Sequence, residues 1–153
     1  MSALKDRLRS DLTTALKARD ALRASTIRMV LAAISTAEVA GTTARELSDE
    51  DVLDVLGKEA KKRREAAEAF TAGDRPELAQ KERDEAAILA DYLPAALSDA
   101  EVAAIVTDAV AQAGAAGEGM KAMGRVMGIV QPQVKGRADG GAVAAEVKRQ
   151  LGA

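Results

Sequence analysis

Leu4, Leu8, Leu12 and Leu16 recur at every fourth residue, a spacing that puts them on one face of a helix. The same rhythm continues through Leu22, Met29, Val30, Ala33, Ile34 and Ala37, and then through Val52, Leu56, Ala60, Ala67 and Phe70. Leu78, Ala86, Leu89 and Leu93 repeat it once more. Strands would need β-branched and aromatic residues in alternation, and Phe70 and Tyr92 are the only aromatic residues in the chain. An all-α fold is therefore expected, with Lys5, Arg9, Lys17 and Asp20 toward water on the first helix and Lys58, Lys61, Lys62 and Arg64 outside on the third.

Helix boundaries follow from local chemistry. Gly41, Thr42 and Thr43 interrupt the second helix, and Ser48 with Asp51 forms the N-cap of a long third helix running toward Gly73. Asp74, Pro76 and Glu77 read as cap, first-turn proline and capping-box acid of the fourth. Pro94 disfavours helical geometry in the residue before it, and Ser98 with Glu101 starts a new helix. The expected organisation is an N-terminal four-helix domain, residues 1–94, followed by a small three-helix C-terminal domain, residues 95–153. In the second domain Val102, Ile105, Val106, Ala109 and Val110 mark one helix. Met120, Met123, Val126, Met127 and Val130 mark the next, and Val143, Val147 and Leu151 the last. A unit of this size buries only about 60% of its unfolded surface, so it gains from leaning on a partner.

The sequence contains neither Cys nor His. This removes disulfides, thiolate chemistry, the commonest general base and the usual transition-metal ligands. Carboxylates, lysines, Tyr92 and hydroxyls remain, but Ser48 and Ser98 read as caps, and no catalytic set, metal site or cofactor is expected. The first turns carry charge, and uncharged runs such as Ala109 to Gly117 fall far short of the roughly 18 residues of a membrane span. A cytoplasmic protein without a membrane partner is the expectation; the oligomeric state is left open. Gly117, Gly119 and Ala122 imitate a dinucleotide fingerprint but follow an Ala-rich helix rather than a strand, and Gly114 and Gly119 lack the Lys-Ser/Thr ending of a phosphate loop. They read as an interhelical turn.

Two segments bear on binding. In the run from Lys58 to Glu65, the pairs Glu59–Arg63, Lys61–Glu65 and, just beyond, Arg64–Glu68 cancel much of the field, which favours a solvated helix face over a phosphate patch. Residues 119–138, by contrast, hold Lys121, Arg125, Lys135 and Arg137 and no acid, a local charge of +4 in a chain of net charge −2. Such a cluster suits a phosphate backbone. Without aromatic residues to stack on bases, it would read RNA by shape.

Met123, Gly124, Arg125, Val126, Met127 and Gly128, followed by Lys135, Gly136, Arg137, Ala138, Asp139 and Gly140, resemble the GatB/YqeY family. The first half is similar to its stand-alone YqeY-like branch, through Leu47 to Val52, Lys58 to Glu65, and Asp91, Tyr92, Leu93 and Pro94. The resemblance implies a C-terminal domain similar to the tail of the B subunit of aspartyl/glutamyl-tRNA amidotransferase, where the tail engages tRNA. It further implies a family-level association with carbon–nitrogen ligase activity using glutamine as amide donor. On this resemblance Lys121, Arg125, Lys135 and Arg137 are tRNA-contact candidates, Gly124, Gly128 and Gly136 are structural positions for close packing or turning, and tRNA, an amidotransferase or another protein are candidate partners. The chain is too short for a complete amidotransferase. The alternative is a helical protein–protein adaptor docking through Met120, Met123 and Met127; an enzyme would show several carboxylates converging in one pocket.

Overall fold

A computed structural model describes residues 2–152. Among them are seven α-helices and no strand: α1 (Ala3–Lys17), α2 (Ala21–Glu38), α3 (Asp49–Ala72), α4 (Pro76–Ala90), α5 (Asp99–Gln112), α6 (Met123–Val134) and α7 (Gly140–Gln150). A single 3-10 turn, Gly119–Ala122, leads into α6. The chain divides into two compact units, Met1–Leu93 and Pro94–Ala153, each with its own core.

Caps account for most of the helix starts. Ser48 and Ser98 each accept from the N–H three residues on, while Asp51 and Glu101 reach back to the cap N–H, giving two complete capping boxes. Asp139 caps α7 by accepting from the Ala142 N–H at 3.0 Å. The start of α4 departs from expectation. Asp74 is not its cap; it adopts φ 56° in a Schellman closure of α3, with its N–H on Thr71 O and that of Arg75 on Phe70 O. Arg75 stands at the N-cap position without a side-chain hydrogen bond. The Gly73-Asp74 pair thus terminates the preceding helix instead of opening the next.

In the first unit the core comprises Leu8, Ile27, Val30, Ile34, Leu47, Val52, Leu56, Ala60, Leu89 and Tyr92. α3 and α4 form the most extensive helix pair, and α1 and α2 the next. The apolar stripes are partly reassigned by packing: Leu16 and Leu78 are exposed, while Ala15 and Ala79 beside them are buried. Lys5 lies inside rather than toward water, its Nζ 2.6 Å from Glu38 Oε1. Tyr92, at the end of α4, donates to Asp11 Oδ2 at 2.5 Å and lies beneath the Arg7 guanidinium, 4.7 Å from the ring centroid. Burial and the Asp11 carboxylate push its phenol pKa up, so it stays protonated and ties α4 to α1.

Arg63 sits among three carboxylates between α3 and α4, its side chain 15% exposed. Its Nε is 3.0 Å from Glu85 and 3.8 Å from Glu82, and a terminal nitrogen is 3.5 Å from Glu59. Glu59 also receives Lys62 at 3.1 Å. Burial, then the neighbouring Glu82, raises the Glu85 pKa, against the pull of Arg63.

The second unit is built from Val102, Val106, Ala109, Ala115, Ala122, Val126, Val130, Val134, Val143, Val147 and Leu151. Gln150 joins α7 to α5, donating to Ala103 O at 2.9 Å and accepting from Thr107 at 2.9 Å. Pro132 lies inside α6 and removes the ladder bond to Gly128 O, and the helix ends two residues later.

Arg63→Met should lower the stability of the first unit by about 3 kcal/mol or more at neutral pH, because it leaves Glu85 buried without its cation. A carboxyl whose folded pKa is raised adds stability below its unfolded pKa and loses it as pH rises through the folded one. The deficit should therefore shrink near about pH 4.3, the ordinary glutamate value. Urea denaturation of both proteins at the two pH values tests this; an equal deficit at both would contradict it.

Candidate nucleic-acid interface on the second unit

α6 presents two unlike faces. Val126, Val130 and Val134 point into the core, with Met123, Met127 and Ile129 packed at its edge. Gly124, Arg125, Gly128, Gln131 and Pro132 are all exposed, and their spacing places them together on the opposite face. Lys121, in the 3-10 turn before α6, and Lys135, directly after it, are exposed and continue the same three-and-four spacing. Arg125 thus lies on this exposed stripe of α6, and Lys121 and Lys135 flank it in sequence, with Arg125 and Lys135 about 15 Å apart along the axis at 1.5 Å per residue.

Gly124 and Gly128 lie within that stripe. Neither Gly124 nor Gly128 has a positive φ, and a Cβ built on either meets nothing within 4 Å. No contact within the chain therefore requires them, although an exposed helical glycine costs up to about 1 kcal/mol relative to Ala. What they leave is a bare backbone strip between basic side chains. Gly136, by contrast, has φ 72° and makes the turn out of α6. Gly117 and Gly119 also have positive φ, 79° and 65°, and form a turn with no strand before it.

The four cations are not equivalent. Arg125 is ion-paired with Glu118, just outside the acid-free segment, and both are exposed. Arg137 is half-buried and structural: its Nε donates to Ala95 O at 3.3 Å, and its carbonyl accepts from the Leu97 N–H at 2.8 Å. Hydrogen bonds from Ser98 hold the Glu101 carboxyl below its ordinary range, and Arg137 adds a smaller pull. Arg137 thereby fastens the segment before α5. Of the methionines, Met123 and Met127 are partly buried against the core and Met120 is exposed, 48%.

Carboxylates do converge elsewhere, around Arg63, but as a closed ion cluster: Glu59, Glu82 and Glu85 are turned on the guanidinium, with side chains 12%, 20% and 6% exposed. Among the described residues no group of acidic side chains could hold a metal ion. Within the run from Lys58 to Glu65, Glu59–Arg63 and Lys61–Glu65 pair at 3.5 and 3.9 Å, while Arg64 and Glu68 form no ion pair among the described residues. No described helix is long and apolar enough to cross a membrane.

A family model described as YqeY-like protein matches residues 5–151. A Kluyveromyces lactis protein named Altered inheritance of mitochondria protein 41, mitochondrial, is 36% identical over 66% of this chain and 57% of its own length. Its namesake in Meyerozyma guilliermondii is 35% identical over 56% of this chain and 44% of its own length. An uncharacterised Schizosaccharomyces pombe protein is 36% identical over 57% and 69% respectively. The chain thus spans about half the length of the first two relatives.

Since nothing in the chain touches their missing side chains, Gly128→Ala should stabilise the second unit by up to about 1 kcal/mol, and Gly124→Ala, nearer the helix start, by less. Thermal unfolding measures both; destabilisation by Gly128→Ala would reveal an internal constraint that the open space around it does not account for.

Proposed function

The chain belongs to the YqeY-like protein family, and from that premise we propose that its C-terminal three-helix unit is an accessory tRNA-binding module working beside an amidotransferase. The observation that carries this reading is the exposed stripe of α6, where Lys121, Arg125 and Lys135 flank Gly124 and Gly128. Phosphate oxygens need cations that reach them and backbone that lets them approach, and the stripe offers both. The contacts are to backbone and shape, since this unit contains no aromatic residue to stack on a base. The relation to the amidotransferase tail and to carbon–nitrogen ligase chemistry belongs to the same proposal. The chain contributes recognition, and the bond-forming residues belong to the partner.

A second reading, docking of a partner helix against the same glycine pair, is favoured by the exposed Met120 beside it. Salt separates the two. Three phosphate contacts lose on the order of 30-fold in affinity between about 50 and 200 mM salt, whereas helix docking on glycine is far less sensitive.

The test is tRNA binding by the purified chain at both salt concentrations, repeated with Lys121→Ala/Arg125→Ala/Lys135→Ala, which spares the structural Arg137. Binding that weakens with salt and is lost in the variant supports the module; failure of the unaltered chain to bind at low salt overturns it. Gly124→Ala/Gly128→Ala should also weaken binding while the helix gains stability, so the loss could not come from unfolding.

Glu118→Gln releases Arg125 from its ion pair and should tighten tRNA binding several-fold, with a steeper salt dependence. Affinity unchanged in this variant would place Arg125 outside the contact.

A further inference from the structure

α2 contains no charged residue from Met29 through Ala37, although only part of its circumference is covered. Ile27, Val30 and Ile34 face the core, while Ala32, Ser35 and Thr36 are exposed and Met29 is 38% exposed. A solvent-facing helix surface normally carries charge on its outer side. Beside the C-terminal half of α2, an open groove of about 620 Å³ runs along α3. Its floor is Ala33, Ala37, Ala40 and Val55, small enough for another helix to approach closely.

The rim carries three lysines against two glutamates, a small positive excess. Lys58, Lys61 and Lys62 line the groove at positions i, i+3 and i+4 of α3. Of the two acids in the lining, Glu59 is engaged by Arg63 and Lys62, and Glu65 meets Lys61 only at 3.9 Å. Lys58 makes no ion pair among the described residues.

We infer that this groove binds an acidic amphipathic helix of a partner protein, its apolar ridge on the alanine floor and its flanking carboxylates on Lys58, Lys61 and Lys62. The floor offers apolar contact and close approach, which suit a helix ridge. Acidic flanks complement the lysines of the rim, and the apolar floor has nothing to offer a phosphate backbone but suits the apolar ridge of a helix, so the groove favours a protein over a nucleic acid. This inference stands apart from the reading of α6, because it concerns the other unit and different residues.

The experiment is selection of displayed, sequence-randomised helical peptides against the full chain, with Thr36→Trp and Lys58→Glu/Lys61→Glu as comparison proteins. Thr36, Lys58 and Lys61 are exposed, so each variant should keep the helix content and melting temperature of the original chain. Enriched peptides should carry apolar residues at i, i+3 or i+4 and i+7, flanked by Asp or Glu. Their affinity should fall about tenfold or more in each variant. Exchanging the acidic flanks for lysine should abolish binding to the original chain and restore it to Lys58→Glu/Lys61→Glu.

Absence of enrichment, enrichment of peptides without acidic flanks, or binding undiminished in both variants would each overturn the inference. So would tRNA binding that disappears in Lys58→Glu/Lys61→Glu while no peptide competes for the groove. Loss of tRNA binding in the α6 variants alone bears on the other proposal and leaves this one standing.

Discussion

Both cores are assembled almost wholly from Ala, Val, Leu and Ile, with Tyr92 the one aromatic ring in either, and much of the remaining structure follows from that restriction. Short aliphatic side chains each remove little apolar area from water, so stability must accumulate over many close contacts between helices. The second unit shows the constraint in its strongest form, since all but one of its core residues are Val or Ala. Two capped helix starts, at Ser98 and Asp139, and the Gln150 link between α7 and α5 add directional bonds where apolar burial is thin. In the first unit, Lys5–Glu38, Tyr92–Asp11 and the Arg63 cluster lie at or beside the helix contacts. Such partly buried polar links stabilise only while every partner is present, so removing one side of a link costs more than the intact link contributes.

The same restriction governs the surfaces. A helix of small residues can bury one face and leave another bare, and α6 and α2 both do so. On α6 the bare face is backbone between Gly124 and Gly128, bordered by exposed cations of which Arg125 is ion-paired with Glu118. On α2 it is an alanine floor beneath the lysines of α3. Neither surface relies on an unusual reactive group, which suits a chain without Cys or His. Recognition through accessible backbone, apolar floor and charge is the chemistry this composition leaves open.

Local signals were legible wherever their determinants lie within a few residues. The caps at Ser48 and Ser98 pair a hydroxyl with an acid three residues on and so close within a single turn. Asp74 misled because the same short acidic residue serves as a cap and as a left-handed helix terminator, and here it takes the second role at φ 56°. Leu16 and Leu78 fit their apolar stripes in spacing but face water, since a stripe records where a neighbour can sit, not how far it extends. Arg63 was legible only as half of an i,i+4 pair with Glu59; Glu82 and Glu85 arrive from another helix.

Periodicity, capping and charge are properties of neighbours along the chain, and they were enough to establish that it is helical, where most helices begin and end, and that residues 119–138 concentrate positive charge. Packing between helices was needed to enclose Lys5 and Arg63, to tie Arg137 to Ala95, and to leave Gly124 and Gly128 facing open space. It also set Lys58, Lys61 and Lys62 along a groove rather than on a plain solvated face. One cause underlies all of these. A helix carries side chains all round its axis, and which of them meet water depends on the approach of helices distant in sequence, a quantity no local pattern contains.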